Sequence, residues 1–307
     1  MIHGHSLHLP WQLSFGLLAA IWGCSFWWIK LGLGMLGPVQ VAFVRVAVGA
    51  TTLLLVSALT GTPLPRGRQT WRHLFVAAML LNSVPFTLFA FGETHISSVL
   101  AGIINATTPL TTLAMVLVAF PEEHPTRERV AGLVVGFVGV LVVIGVWQGL
   151  GSGEWAGIAA CLGAVTCYGV AFPYTRRHLS VLPDSPISLA TGQLLVGAVV
   201  LLPFAALAGG GHGPIVLAGV LGMLGLGALG SGIAYILNYQ IIGAAGGMTA
   251  STVTYLTPLF AVIAGVAFLG EGVAWYEPVG GFIVLLGAAI AQGRLRTTAQ
   301  MMRRSEI

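Results

Sequence analysis

Thr108-Pro109-Leu110, followed by Glu122, Glu128 and Gly132, returns 149 positions later as Thr257-Pro258-Leu259, Glu271, Glu277 and Gly281. The offset is close to half of the 307 residues, so the repeated unit holds about five hydrophobic segments rather than one solenoid module. A unit that crosses a membrane an odd number of times must be followed by its copy in the opposite orientation.

Outward from this pair, the copies continue at slightly different offsets. Trp22-Gly23-x-x-Phe26-x-Trp28-x-Lys30 matches Tyr168-Gly169-x-x-Phe172-x-Tyr174-x-Arg176, 146 positions on. Ala42, Gly49, Ala50, Leu53 and Leu54 recur 148 positions on as Ala190, Gly197, Ala198, Leu201 and Leu202, which aligns Arg45 with Gln193. Inverted repeats of this kind are a mark of transporters.

The chain is 56% hydrophobic and 7% charged, against about 25% charged in soluble domains, so it reads as a polytopic membrane protein. Ten stretches approach the ~20 apolar residues that cross a bilayer: 12-31, 38-60, 73-93, 96-119, 129-147, 155-175, 186-208, 214-241, 248-269 and 274-293. The expected fold is all-α, with two inverted five-helix repeats (12-147 and 155-293) around a central cavity and a tail, 294-307. With the N-terminus inside, Arg66, Arg68, Arg72, Arg127, Arg129, Arg176, Arg177 and the tail arginines fall on one side and Lys30 on the other. The positive-inside rule then makes both termini cytoplasmic. The first segment has no Lys/Arg lead and no A-x-A pattern, so it reads as a retained helix. The net charge of +4 is spread over short loops, which fits membrane orientation and not nucleic-acid binding. Cys24, Cys161 and Cys167 lie in apolar segments without metal-ligand spacing, so no metal or cofactor is expected.

A proline inside a helix leaves the carbonyl four residues earlier without its donor. Pro109 frees that of Asn105 and Pro258 that of Thr254, which places polar residues at equivalent mid-helix points; Pro85 marks a further kink. Helical spacing puts Asn105 on one face with Ala101, Thr108 and Thr112, and Asn82 on one with Phe86, Phe89 and Glu93. A third stripe carries Ser231, Tyr235, Asn238 and Tyr239. Together with Trp22, Tyr168 and Tyr255 these residues would line a cavity of aromatic and amide character and contact a small-molecule substrate. The alternative is packing alone, with the Thr and Asn side chains bonded to neighbouring helices.

Arg45 and Glu93 are the ionisable residues read as lying inside the bilayer, both in its outer half. They would form an ion pair, joined by Lys30, as a gate or lock; otherwise Glu93 lies at the interface and Arg45 snorkels outward. Glu122 and Glu271 would anchor turns or cap the following helices. No carboxylate falls at mid-membrane, so the sequence shows no evident proton carrier. Gly132 and Gly136 form a G-x-x-x-G, read as close helix approach, leaving monomer or homodimer open. An intramembrane enzyme would need catalytic residues at depth, yet the one aspartate, Asp184, lies in a loop and no H-E-x-x-H occurs.

Trp22-Gly23-x-x-Phe26, Arg45, the two Thr-Pro-Leu sequences and the glutamates after them resemble the drug/metabolite transporter superfamily, and more narrowly its EamA-type branch. The resemblance covers about residues 13 to 293. It implies alternating access through a central cavity in a bacterial inner membrane, and export of small metabolites, with aromatic and neutral amino acids as the nearest class. Another solute class, such as drugs or nucleotide-related metabolites, is the alternative. Pro121-Glu122-Glu123 departs from the Gly-Glu seen at Gly270-Glu271.

Overall fold

A computed structural model describes residues 10–119, 126–148, 153–209 and 213–291. Glu122, Glu123 and the tail 294-307 lie outside the described residues, as does residue 293, the predicted end of the second repeat. Within those residues the chain is helical and no strand occurs. Among the described residues, nine helices are long and apolar enough to cross a bilayer. They are α1 (Trp11–Leu33), α2 (Pro38–Thr60), α3 (Arg68–Gly92), α4 (Ser98–Val118), α5 (Val130–Gln148), α6 (Glu154–His178), α7 (Pro186–Leu207), α8 (Leu217–Ala245) and α9 (Thr249–Leu269). A shorter apolar helix, α10 (Tyr276–Ala291), follows.

Local chemistry sets the ends. Pro38 and Pro186 sit in first turns, where a missing N–H loses nothing. Ser97 and Ser185 cap α4 and α7 by accepting from Leu100 and Ser188 backbone N–H groups. Gly61 and Gly270 close α2 and α9 at φ 65° and 64°, a left-handed conformation that side chains disfavour.

Two helices that read as continuous are broken. In α4 the helix stops at Asn105 and restarts at Thr108; in α9 a 3-10 turn, Thr252–Tyr255, precedes the restart at Thr257. Each restart places the proline, Pro109 or Pro258, in the first turn of the second half-helix. Equivalent π-helical turns, Met79–Ser83 in α3 and Ala228–Ile233 in α8, were not foreseen. Such turns rotate everything beyond them relative to a regular helix.

The packing is reciprocal. α1 packs on α9 and α8, as α6 packs on α4 and α3; α2 meets the π turn of α8, while α7 meets that of α3. α2 and α7 pair with each other, and so do α5 and α10. The largest core cluster, including Leu53, Leu74, Leu194 and Tyr235, lies between α2, α3, α7 and α8. Leu55, Phe137 and Phe282 point outward, as lipid-facing side chains do.

The G-x-x-x-G of α5 has an intramolecular partner. A Cβ added to Gly287 of α10 would lie 2.4 Å from the Gly136 nitrogen and 2.7 Å from the Gly132 oxygen. Backbone meets backbone there, so nothing flexible can yield. Gly287→Leu is expected to pry α5 from α10 and lower stability by about 2–4 kcal/mol, at or above the upper end of overpacking effects. Thermal unfolding in detergent checks this; a melting temperature equal to wild type would show that the two helices tolerate separation.

Candidate functional site: an aromatic cavity

Between the broken helices lies a narrow cavity of ≈ 40 Å³. Its wall carries Trp22, Phe86, Tyr168 and Tyr235 as aromatic faces, Asn105 and Thr254 from the two breaks, and Arg45. Arg45 is the one charged residue of that wall. The wall is itself paired: Trp22 with Tyr168, Phe26 with Phe172, Phe86 with Tyr235 and Asn105 with Thr254 are the matched positions of the sequence duplication. The rings interlock edge to face, Trp22 to Tyr235 at 6.2 Å and Phe86 to Tyr235 at 6.4 Å, while Phe89 stacks with Tyr168 at 6.0 Å.

The carbonyls released by proline are not left open. Thr108 Oγ1 donates to the Asn105 carbonyl at 2.7 Å, and Thr257 Oγ1 to that of Thr254 at 2.9 Å. The threonine before each proline thus stands in for the missing N–H. What remains for a ligand is side chain: Asn105 Nδ2 reaches Thr257 Oγ1 at 3.2 Å, a longer bond that ties the two breaks together. At Pro85 the freed carbonyl is that of Leu81, and Tyr235 donates its hydroxyl to it at 2.6 Å. Tyr235→Phe is therefore expected to leave a buried carbonyl unpaired and lower stability by about 1–3 kcal/mol. Thermal unfolding of the variant tests it; no loss would mean another donor replaces the hydroxyl.

Arg45 does not pair with Glu93, contrary to the sequence expectation. The guanidinium lies 3.5 Å over the Phe86 ring, donates through Nε to Ser231 Oγ at 2.9 Å, and through Nη2 to the Gly230 carbonyl at 3.3 Å. The acceptors come from the π turn of α8, where helical bonding is loosened, so the bundle interior holds the charge and snorkelling is unnecessary. Nη1 keeps both of its donors. The repeat partner behaves alike: Gln193 Nε2 donates to Asn82 Oδ1 at 2.5 Å beside the π turn of α3, and Tyr239 donates to Gln193 Oε1 at 2.5 Å.

Three predicted contact residues stand outside the wall. Asn82 is held by Gln193. Asn238 is fully buried with neither amide atom bonded. Tyr255 packs toward Leu110, Val284 and Ala288, because the 3-10 turn that presents Thr254 to the cavity turns its neighbour away. Ser25, Ile29, Leu81 and Phe172 join the wall instead. Ser25 and Ile29 continue the Trp22–Phe26 face by one turn, a signal present in the sequence.

The EamA-like transporter model matches the chain twice, at residues 10–145 and 155–292. The chain belongs to the EamA-like transporter family. Similar proteins include an uncharacterized transporter of Archaeoglobus fulgidus, 26% identical over 89% of this chain and 95% of the relative. A probable terminal-alkyne amino-acid exporter of Streptantibioticus cattleyicolor is 22% identical over 91% and 92%. A crystal structure superimposes with a TM-score of 0.68 at 17% identity, covering 93% of this chain and 98% of that one, which shows that the fold is shared. The EamA family and the nine apolar helices make this a multi-pass membrane protein.

Proposed function

We propose that this EamA protein is a secondary transporter that exports small carboxylate-bearing metabolites, aromatic and neutral amino acids foremost, across a bacterial inner membrane by alternating access. Residues 12-147 and 155-293 act as inverted repeats, with both termini in the cytoplasm. The reciprocal packing, the paired cavity wall and the twofold family match support that arrangement. Broken helices at the repeat interface are where transporters place their binding sites.

The observation that carries the substrate reading is Arg45. A lone cation with free donors on an otherwise neutral, aromatic wall attracts a carboxylate, while Trp22, Tyr168 and Tyr235 offer faces for an apolar body and for an ammonium group. Asn105 and Thr254 supply uncharged hydrogen bonds. The alternative is another class of solute within the same mechanism.

Purified protein is to be heated in the presence of a panel of amino acids, other carboxylates and uncharged analogues. A ligand that binds only the folded state must stabilise it. Stabilisation by carboxylates and not by their amides supports the reading. A response confined to uncharged or cationic solutes moves the protein to the alternative class.

A further inference from the structure

The cavity ends, toward Lys30, at Phe26, Ile29 and Phe89. Lys30 follows Ile29, and Glu93 lies one turn beyond Phe89. Past them opens a second, polar cleft lined by Lys30, His95, Ser97, Glu154, Glu271 and Glu277. The partition between the two spaces is thus the Lys30 end of α1 and the turn joining α3 to α4.

Lys30 Nζ donates to two backbone carbonyls of that turn, Glu93 at 2.5 Å and Ile96 at 2.9 Å. The ammonium therefore clips the turn by its backbone and not by the carboxyl group. Glu93 is 1% exposed and neither of its carboxyl oxygens has a hydrogen-bond partner. The ionisable groups facing it are Lys30 from α1, Arg45 from α2, Glu271 from the α9–α10 connection, and Cys161 from α6. Arg45 makes no hydrogen bond to it, donating instead through Nε and Nη2 to Ser231 and Gly230, and Glu271 is committed to the start of α4. Cys161 packs against the neighbouring Gly92. A carboxylate left without partners in such a place is disfavoured by its lost hydration, whereas the carboxylic acid carries no charge to desolvate.

We propose that Glu93 is a proton-binding site within the partition: an acid while the partition is closed, and a carboxylate when it opens to the polar cleft. On opening, the O–H bond of the acid breaks and its proton passes to water in the cleft. Lys30, which stays an ammonium throughout, exchanges its two carbonyl partners for the new carboxylate. Coupling of this step to solute flux rests on the transporter reading; the proton site itself is testable without any solute.

Infrared difference spectra of the full-length protein in lipid, recorded as pH is stepped, read the carboxylic C=O stretch directly. One such band is expected to disappear as pH rises and to be missing from Glu93→Gln. An identical pH difference spectrum in the variant overturns the proposal. Should Glu93→Gln fail to give monodisperse protein, Lys30→Met serves instead: without the cation that receives the carboxylate, the band must persist to higher pH, and an unmoved midpoint counts against the site.

The link to the partition is read by labelling Ile29→Cys with a membrane-impermeant maleimide, after the three native cysteines are replaced by Ala. Labelling from the Lys30 side is expected to speed up with pH, and to stay slow at every pH when Glu93→Gln is added. Equal rates in both backgrounds would sever Glu93 from the gate. A Glu93 band in a protein that moves no metabolite leaves the proton site standing and removes the transporter reading; transport without the band does the reverse.

Discussion

Arg45→Gln is expected to lower the flux of carboxylate-bearing solutes by roughly 10- to 100-fold while leaving the fold intact. The size follows from a charge-assisted hydrogen bond, about 1.5–3 kcal/mol. Glutamine is the residue that the second half already carries at the matched position, where Gln193 bonds Asn82 and Tyr239. The same amide chemistry can therefore meet Ser231 from the first half. The effect belongs in KM if Arg45 holds the carboxylate alike at every stage of the cycle. Arg45→Lys would not restore the wild type, because an ammonium cannot hold Ser231 and the Gly230 carbonyl in the planar geometry that now places Nη1. Proteoliposome uptake by both variants, beside thermal unfolding, separates loss of recognition from loss of structure. Wild-type flux in Arg45→Gln would remove the carboxylate from the account.

Glu271→Ala is expected to lower stability by about 2–4 kcal/mol. Its carboxylate, just past the end of α9, accepts from Ser98 N at 3.0 Å, Ser98 Oγ at 2.7 Å and Val99 N at 3.0 Å. An anion at a helix start satisfies N–H groups that have no partner within the helix and also meets the positive end of its dipole. The cap is shared between the halves of the chain, so its loss loosens α4 just where α4 leads to Asn105. Glu271→Gln keeps one acceptor at reduced strength and should fall between alanine and wild type. Thermal unfolding ranks the three proteins; an alanine variant within about 0.5 kcal/mol of wild type would show that water replaces the carboxylate without loss.

The same glutamate shows what a sequence reveals and what it hides. Its recurrence after Thr257-Pro258-Leu259 was visible, and so was a capping role. The helix it caps is not the next one but α4, 172 to 173 residues earlier, and no local pattern encodes that pairing. The apolar spans were legible for the same reason that they are stable, since in lipid every backbone group must be bonded within its own segment. Asn105 and Thr254 were legible because prolines announce a break. The π turns were not: the one in α8 sits in Ala228-Leu229-Gly230-Ser231-Gly232-Ile233, which carries no proline and reads as ordinary helix. Missing that turn hid the acceptors of Arg45. Without them, Glu93 was the natural partner to assign, and the distance between the two could not be read from helical position alone.

The central claim is that the Arg45 cavity carries carboxylate-bearing metabolites across the membrane. Counterflow in proteoliposomes tests it most directly, with labelled aromatic and neutral amino acids outside and the same unlabelled compounds inside. Saturable accumulation of at least one of them is expected from the wild type, reduced at least tenfold in Arg45→Gln with unchanged thermal unfolding. Accumulation of none by folded wild-type protein, or equal accumulation by the variant, would contradict it.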